Sequence, residues 1–333
     1  MLLFPTGRAP FNASPADVGR RVRVDFKPTS FGADPQTLEG VLFRWSGGVK
    51  DGILRLRDRN GVDTGIRSSE ITEIRVMPPE VSAYDMERLA QQGWPSITTE
   101  ALGDWDLRYA CGYGDRANSV RVAGNPTNKS LKATLKAVED WYEERGSSGL
   151  LQIPIPFDEA PFEALGWTAQ RKGRLMVNSV ARFLNATAPA RERIDLDITV
   201  ESVPDQQWLD LVSGYTPQRA EEFDYIMDSV RPAAFIYCRN LDGELLGIGR
   251  ATLQDTWCGA TTIDTVPQSR RRGIATAISA EMAIWAAEHG ARDWYLQVFH
   301  DNAAARSFFE NLGFTTHHQY EYRRKDVDIA PTP

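Results

Sequence analysis

Between Val18 and Val76, apolar and polar residues alternate in short runs: RVRVDF (Arg21–Phe26), LEGVLFRW (Leu38–Trp45), GILRLRD (Gly52–Asp58) and ITEIRV (Ile71–Val76). Alternation of period two puts every second side chain on one face, so each run predicts a strand with one side buried. Turn residues at Ser46–Gly48 and Asn60–Gly61 separate the runs, with no helical period between them. Short strands at this spacing predict a small all-β barrel or sandwich over residues 1–79. Met77–Glu80 (MPPE) ends it, because proline lacks the N–H that strand and helix interiors need.

Beyond this linker, strands and helices are mixed. Over residues 80–190 the pattern predicts a helix at Ala83–Gln92, strands at Asp104–Gly112 and Ala117–Gly124, and a long helix at Ser130–Gly146 with Leu131, Leu135, Val138 and Tyr142 on one stripe. A strand at Leu150–Pro156, a short helix at Asp158–Leu165 and a strand at Arg174–Val180 follow. The polar stretch Asn185–Arg193 reads as a second linker. Over residues 191–333 come a strand (Asp197–Val203), helices at Asp205–Ser213 and Pro217–Met227, and a meander of Ala233–Asn240, Leu245–Asp255 and Trp257–Val266. A helix (Ile274–His289), a strand (Trp294–Phe299), a helix (Ala303–Leu312) and a last strand (Thr315–Arg323) complete the chain.

These two segments share landmarks in one order. Trp141 and Trp285 lie near the ends of the long helices, Gly146 and Gly290 follow them, Gln152 and Gln297 sit in the next strands, and Leu165-Gly166-Trp167 matches Leu312-Gly313-Phe314. Their spacing is nearly constant, which predicts two related units. The repeat breaks before the long helix, where GNPTNKSLK in the first copy stands against PQSRRRGIAT in the second. The first copy is therefore expected to be degenerate.

Composition narrows the class. The chain has 333 residues, 42% hydrophobic and 25% charged, as in ordinary globular proteins. A net charge of −7 argues against a nucleic-acid partner, and no apolar run is long enough to cross a membrane. The three cysteines and four histidines fall into no metal-binding spacing, so no metal is expected, and a reducing cytoplasm is the plain reading.

Ile263–Ile278, IDTVPQSRRRGIATAI, carries the chemistry. A strand runs into Pro267, three arginines, Gly273 and a helix. Three cations at a helix N-terminus are locally unfavourable, because that end already carries about +0.5 charge. An anion seated there resolves the conflict, held by the free N–H groups of the first turn. The stretch resembles the pyrophosphate loop of GNAT N-acetyltransferases, Arg/Gln-x-x-Gly-x-Gly/Ala, filled here by Arg270, Gly273 and Ala275. DNAAARSFFENLGF (Asp301–Phe314) resembles the family's second motif through Asn302, Ala305, Phe308, Gly313 and Phe314. The all-β unit resembles an SH3-like barrel in architecture alone.

The resemblance implies an α+β GNAT fold, a mixed and mostly antiparallel sheet with flanking helices, in a degenerate and an intact tandem copy behind the barrel. It implies acetyl-CoA as co-substrate and a primary amine as acceptor, either a small metabolite or a protein lysine or N-terminus. Ile263, Thr265 and Val266 would pair with the pantetheine. Arg270, Arg271, Arg272, Gly273, Ile274, Ala275 and Thr276 would cradle the pyrophosphate. Asn302, Ala305, Phe308 and Phe309 would line the other side of a splay between strands. Phe309 stands where the family usually has a tyrosine, so another group or water must protonate the leaving thiolate. Alternatively, the chain is a non-catalytic acyl-CoA-binding or adaptor protein. Asp264 is the first candidate base, Glu222 and Asp224 are next, and His300 is a further one. Arg108, Arg116 and Asn118 are expected to be structural. Gly247 and Gly249, inside a strand, are expected to mark a bulge. The barrel is open to a protein partner, and the chain to a monomeric or homodimeric state.

Overall fold

The computed structural model describes residues 21–29, 33–48, 51–58, 60–76, 81–124, 130–155, 158, 160–188, 195–212 and 220–325. The linker at Met77–Glu80, the end of the second linker and the first residues of the helix expected at Pro217–Met227 lie outside them.

Strands β1 (Arg21–Phe26), β2 (Gln36–Ser46), β3 (Ile53–Arg57), β4 (Asp63–Arg67) and β5 (Ile71–Val76) form an antiparallel sheet in the order β4-β3-β2-β1-β5. Alternate residues Val22, Val24, Leu54 and Leu56 turn inward with Leu42, Ile66 and Ile74 to make its core. β4 goes beyond the sequence reading. Only Ile66 of DTGIR is buried, and one inward side chain leaves no alternation to read.

The remaining strands build one large sheet. They are β6 (Thr98–Leu102), β7 (Trp105–Tyr109), β8 (Val120–Arg121), β9 (Leu150–Pro154), β10 (Trp167–Ser179), β11 (Leu196–Glu201), β12 (Ala233–Asn240), β13 (Leu245–Gln254), β14 (Trp257–Thr265), β15 (Asp293–Phe299) and β16 (Thr315–Lys325). Their order is β11-β12-β13-β14-β15-β10-β16-β9-β8-β7-β6. β10 thus lies between β15 and β16, and β16 between β10 and β9, so each repeat completes the sheet of the other. The exchanged strands pair antiparallel from Trp167↔Lys325 to Val177↔Thr315. Parallel pairs β8–β9 and β14–β15 occupy matching places on either side.

One face of the sheet carries the two long helices of the repeat. α1 (Ala83–Gly93) crosses the other face. α2 (Leu131–Glu143), capped by Ser130, covers β7–β9 through Leu135, Val138 and Trp141. α3 (Ala160–Glu163) and α4 (Val180–Ala186) follow, the latter a helix that falls between the strand and the linker expected from the sequence. α5 (Gln206–Leu211) and α6 (Ala220–Asp228) share the face of α1 and pack on Phe235, Tyr237 and Ile248. α7 (Ile274–Glu288) and α8 (Ala303–Asn311) share the face of α2. α7 is apolar almost all round because α4 and the sheet enclose it. The register of β13 shifts beside Gly247 and at Gly249, so both glycines do sit at bulges, and packing needs them too. A β-carbon on Gly247 would come within 2.9 Å of Ile278, and one on Gly249 within 2.6 Å of Ile278, so both glycines let α7 lie close to β13.

Glu87 of α1 is 1% exposed and joins the two repeats. Gln152 of β9 and Gln297 of β15, partners in the repeat, donate their Nε2 groups to the same Glu87 Oε2 at 2.7 and 2.9 Å. His318 Nε2 lies 2.8 Å from Oε1. Arg108 donates to Gln152 Oε1 at 2.6 Å and to Ser119, which makes it structural, and Asn118 braces the turn at Ala110–Gly114. Glu87→Ala strands several buried donors, each costing about 1–3 kcal/mol. Urea unfolding of this variant is expected to show a loss of about 3–5 kcal/mol with the slope unchanged.

Candidate active site

β14 and β15 begin as neighbours and then part. Their parallel pairing covers only Trp257↔Asp293, Cys258↔Trp294 and Gly259↔Tyr295, after which the strands diverge into a fork. A bulge turns β14 away. Three residues of β13, Ile248 to Arg250, face four of β14, Asp264 to Thr261, and Thr262 takes φ +54°. Gly249 of β13 lies across from Thr262 and Ile263 at this bulge, where the sequence pattern leads one to expect it.

At the end of β14, a tight turn over Pro267–Ser269 leads to Arg270, whose Nε donates to Thr265 O at 3.4 Å. Gly273 caps α7 at φ +79°, a conformation costly for any residue with a β-carbon, and its side makes no capping bond. The first intrahelical bond runs from Ala277 N–H to Gly273 O. The N–H groups of Ile274, Ala275 and Thr276 therefore have no acceptor within the helix and point from its positive end. Arg270, Arg271 and Arg272 are exposed around them.

On the same face, Asn302 caps α8 by accepting from Ala305 N–H at 3.1 Å. Arg271 and Thr276 from the loop meet Ala303, Ser307, Phe308 and Asn311 from α8 around a cavity of about 510 Å³. The structure thus brings the two sequence motifs to one cavity. Ile263 and Ala305 pack on the core beneath it, and Val266 N–H bonds to Leu246 O. Phe309 is buried against Phe308 and Phe314, with ring centroids 4.9 and 5.4 Å away, and is a core residue.

The base candidates are scattered. Asp264 pairs with Ile248, whose side chain faces α5 and α6, so it lies on the opposite face of the fork from α8. Glu222 and Asp224 are on α6, and burial followed by the charge of Asp228 raises the Asp224 pKa. His300 ends β15 and lines a cleft of about 570 Å³ between barrel and sheet, shared with Arg57, Lys172 and Glu321. Asp264 and His300 are not brought together. Burial, then the cations of Arg174, Arg306 and Lys172, hold the His300 imidazole below its usual pKa. It is therefore neutral at pH 7 and accepts from Arg174 Nε at 3.3 Å.

Some groups at the fork escaped the sequence reading. Arg250 is fully buried and donates to Gly93 O and Ile226 O near the C-termini of α1 and α6, which its charge suits. Arg116, already expected from the sequence to be structural, lies over the Trp94 ring with its Nε buried and unbonded. Glu87 could have been noticed as a carboxylate beside the Met86–Ala90 apolar stripe. Among the described residues no group of three His, Cys, Asp or Glu side chains could hold a metal, and no helix is long and apolar enough to cross a membrane.

A forked mixed sheet with a helix N-terminus at the fork, repeated about an exchanged strand pair, defines a GNAT-type acyltransferase in tandem form. The chain belongs to the family described as "Probable histone acetyltransferase Rv0428c C-terminal", whose pattern matches residues 83–323. It is 24% identical over 243 residues to the uncharacterized N-acetyltransferase YobR of Bacillus subtilis (strain 168), covering 72% of this chain and 97% of that one. Among solved structures, a GCN5-related N-acetyltransferase from Kribbella flavida superposes with TM-score 0.55 at 14% identity, over 74% of this chain and 97% of that chain. A tandem GNAT protein from the clavulanic acid biosynthesis pathway gives 0.52 at 12% identity, over 76% and 90%. These structural likenesses show the fold, and the family makes the chain an enzyme rather than an adaptor.

Two side-chain measurements check this description. The His300 imidazole, followed by NMR, is expected to titrate below about 6.5, and Arg174→Met is expected to move its midpoint upward. Burial pushes the Cys258 thiol up to about 12, and Cys238 is buried too, so iodoacetamide on the native protein is expected to label Cys111 alone.

Proposed function

We propose that the chain transfers the acetyl group of acetyl-CoA to a primary amine by direct attack on the thioester. The observation that carries this reading is the fork. Its parted strands leave backbone groups of Ile263, Thr265 and Val266 without the neighbour that a continued β15 would give them. These groups would pair with the pantetheine arm and polarise the thioester carbonyl. The N–H groups at the start of α7, with Arg270, Arg271 and Arg272, would hold the pyrophosphate, and Gly273 lets it come close. Asn302 would act by fixing the start of α8, while Ala305 and Phe308 offer an apolar wall, with Phe309 behind it. Attack then needs an uncharged amine and a proton for the departing sulfur, which Phe309 cannot give. Asp264 is the nearest carboxylate to this reading by strand position.

We take 1–79, 80–190 and 191–333 as the units of the chain. In this reading the first is an SH3-like barrel that presents a protein acceptor or partner, the second is a degenerate copy without its own cofactor loop, and the third is the acetyl-CoA-binding copy. The family's printed description favours a protein lysine as acceptor; the tandem neighbour's pathway favours a small metabolite. A cytoplasmic site of action agrees with the cofactor.

Thermal unfolding with and without acetyl-CoA tests the reading. At about 100 times its dissociation constant the ligand is expected to add roughly 2.7 kcal/mol to stability. Gly273→Glu, which puts a carboxylate and a strained side chain where phosphate would sit, is expected to abolish that gain. A wild-type protein indifferent to millimolar acetyl-CoA would exclude this use of the fork.

A further inference from the structure

The base of the fork holds two buried oxygens without a hydrogen-bond partner, Thr261 Oγ1 of β14 and Gln297 Oε1 of β15. Strand register relates them. The last parallel pair is Gly259↔Tyr295, so Thr261 and Gln297 are the residues two steps further on each strand, where the strands have begun to part. Both point to the face crossed by α1. Thr261 pairs with Arg250, which reaches Gly93 O of α1, and Gln297 reaches Glu87 of α1.

The chemistry of the two atoms is set. Glu87 Oε2 accepts from the Nε2 group of Gln297, and this bond sets the amide orientation. Gln297 Oε1 is then turned away from Glu87 with nothing to accept. Leaving such groups buried and unpaired is costly, and native sites that do so usually hold a ligand or water.

From these atoms we propose that Thr261 and Gln297 receive the acceptor amine, and that their two oxygens on one face of the fork select a primary amine in its neutral form. This rests on the acetyl-CoA reading above. A neutral primary amine has two N–H bonds and one lone pair. With one N–H directed to Thr261 Oγ1 and the other to Gln297 Oε1, the lone pair is free to face a thioester in the fork. The nitrogen lone pair forms the C–N bond, the C–S bond breaks with its electrons on sulfur, and the proton shed by nitrogen returns through solvent to the thiolate. A secondary amine has only one N–H and leaves one oxygen unmet. Glu87 is the positioning residue, acting through Gln297.

Hydroxylamine, small enough to enter without any acceptor-specific pocket, is the probe, with N-methylhydroxylamine as its counterpart carrying one N–H. Wild-type protein is expected to speed acetyl transfer to hydroxylamine and to disfavour the N-methyl probe. Thr261→Val removes only an oxygen that no protein group uses. Its unfolding temperature is expected to be unchanged or higher, with the acetyl-CoA shift retained, while transfer to hydroxylamine falls about tenfold, the worth of one oriented hydrogen bond. In this variant the preference over the N-methyl probe shrinks as well. Wild-type transfer rates in Thr261→Val, or equal use of the two probes by the wild type, would mean that the oxygens hold only water and would overturn the assignment. So would a wild type that binds acetyl-CoA yet does not speed transfer to hydroxylamine. A wild type without any acetyl-CoA shift sinks the underlying reading, and this one with it.

Discussion

Removing a carboxylate from water costs several kcal/mol unless its oxygens are met by donors in good geometry. Glu87 meets that condition only when α1, β9, β15 and β16 are all in place, because its donors come from Gln152, Gln297 and His318. The two glutamines occupy equivalent positions in the repeat, yet they bind one oxygen of one residue that belongs to neither repeated pattern. The carboxylate therefore sits at the pseudo-symmetry centre and ties α1 to both copies. Arg250 does the same at the far end of α1, where its buried guanidinium meets the carbonyls of Gly93 and Ile226. α1 is thus held at both ends by charge, with Met86, Ala90, Leu175 and Tyr295 packed between.

The fork depends on this arrangement. β15 is fixed from one side by β10 along its whole length, from Gly173↔Phe299 to Ser179↔Asp293. β14 is fixed by β13 and bent by the bulge at Thr262. With each strand anchored to a different neighbour, the gap between them cannot close by ordinary pairing. α7 begins at the open end, held close to β13 by the two glycines beneath Ile278 and Met282. A stable opening in a sheet is rare because unpaired backbone is costly to bury. Here the rest of the molecule keeps it open.

How far the sequence foretold this varies with the physics involved. Elements with a strong period were read nearly to the residue, such as β1 at Arg21–Phe26, β12 at Ala233–Asn240 and α7 from Ile274. The start of α7 was legible from Gly273 and the apolar run that follows it, while the reading of the arginines before it rested on a resemblance. The repeat was legible from landmark residues, and so was the two-copy fold. What stayed hidden was set by tertiary context. β4 and β6 bury almost nothing, so they carry no alternation. The positive φ of Thr262 at the bulge across from Gly249 has no glycine of its own to announce it. Glu87 is a lone carboxylate whose partners are over 60 residues away, Gln152 at a separation of 65 and Gln297 at 210. Gly247 and Gly249 were legible as bulge positions, though not as the place where a helix lies close.

The exchange of β10 and β16 has a consequence for biosynthesis. Translation makes β10 long before β15 and β16, the two strands that flank it in the finished sheet. Until β15 is made, β10 has both hydrogen-bonding edges bare, and one stays bare until β16 follows. It also belongs to a first copy whose β9 still waits for β16. An unpaired strand of this length is a template for pairing with other chains. The N-terminal barrel, whose strands all lie close together in sequence, can form early and sits on the chain just ahead of this exposed region. Nascent chains of this enzyme therefore carry a long unpaired strand until β15 and β16 are made, and the sheet cannot close before then.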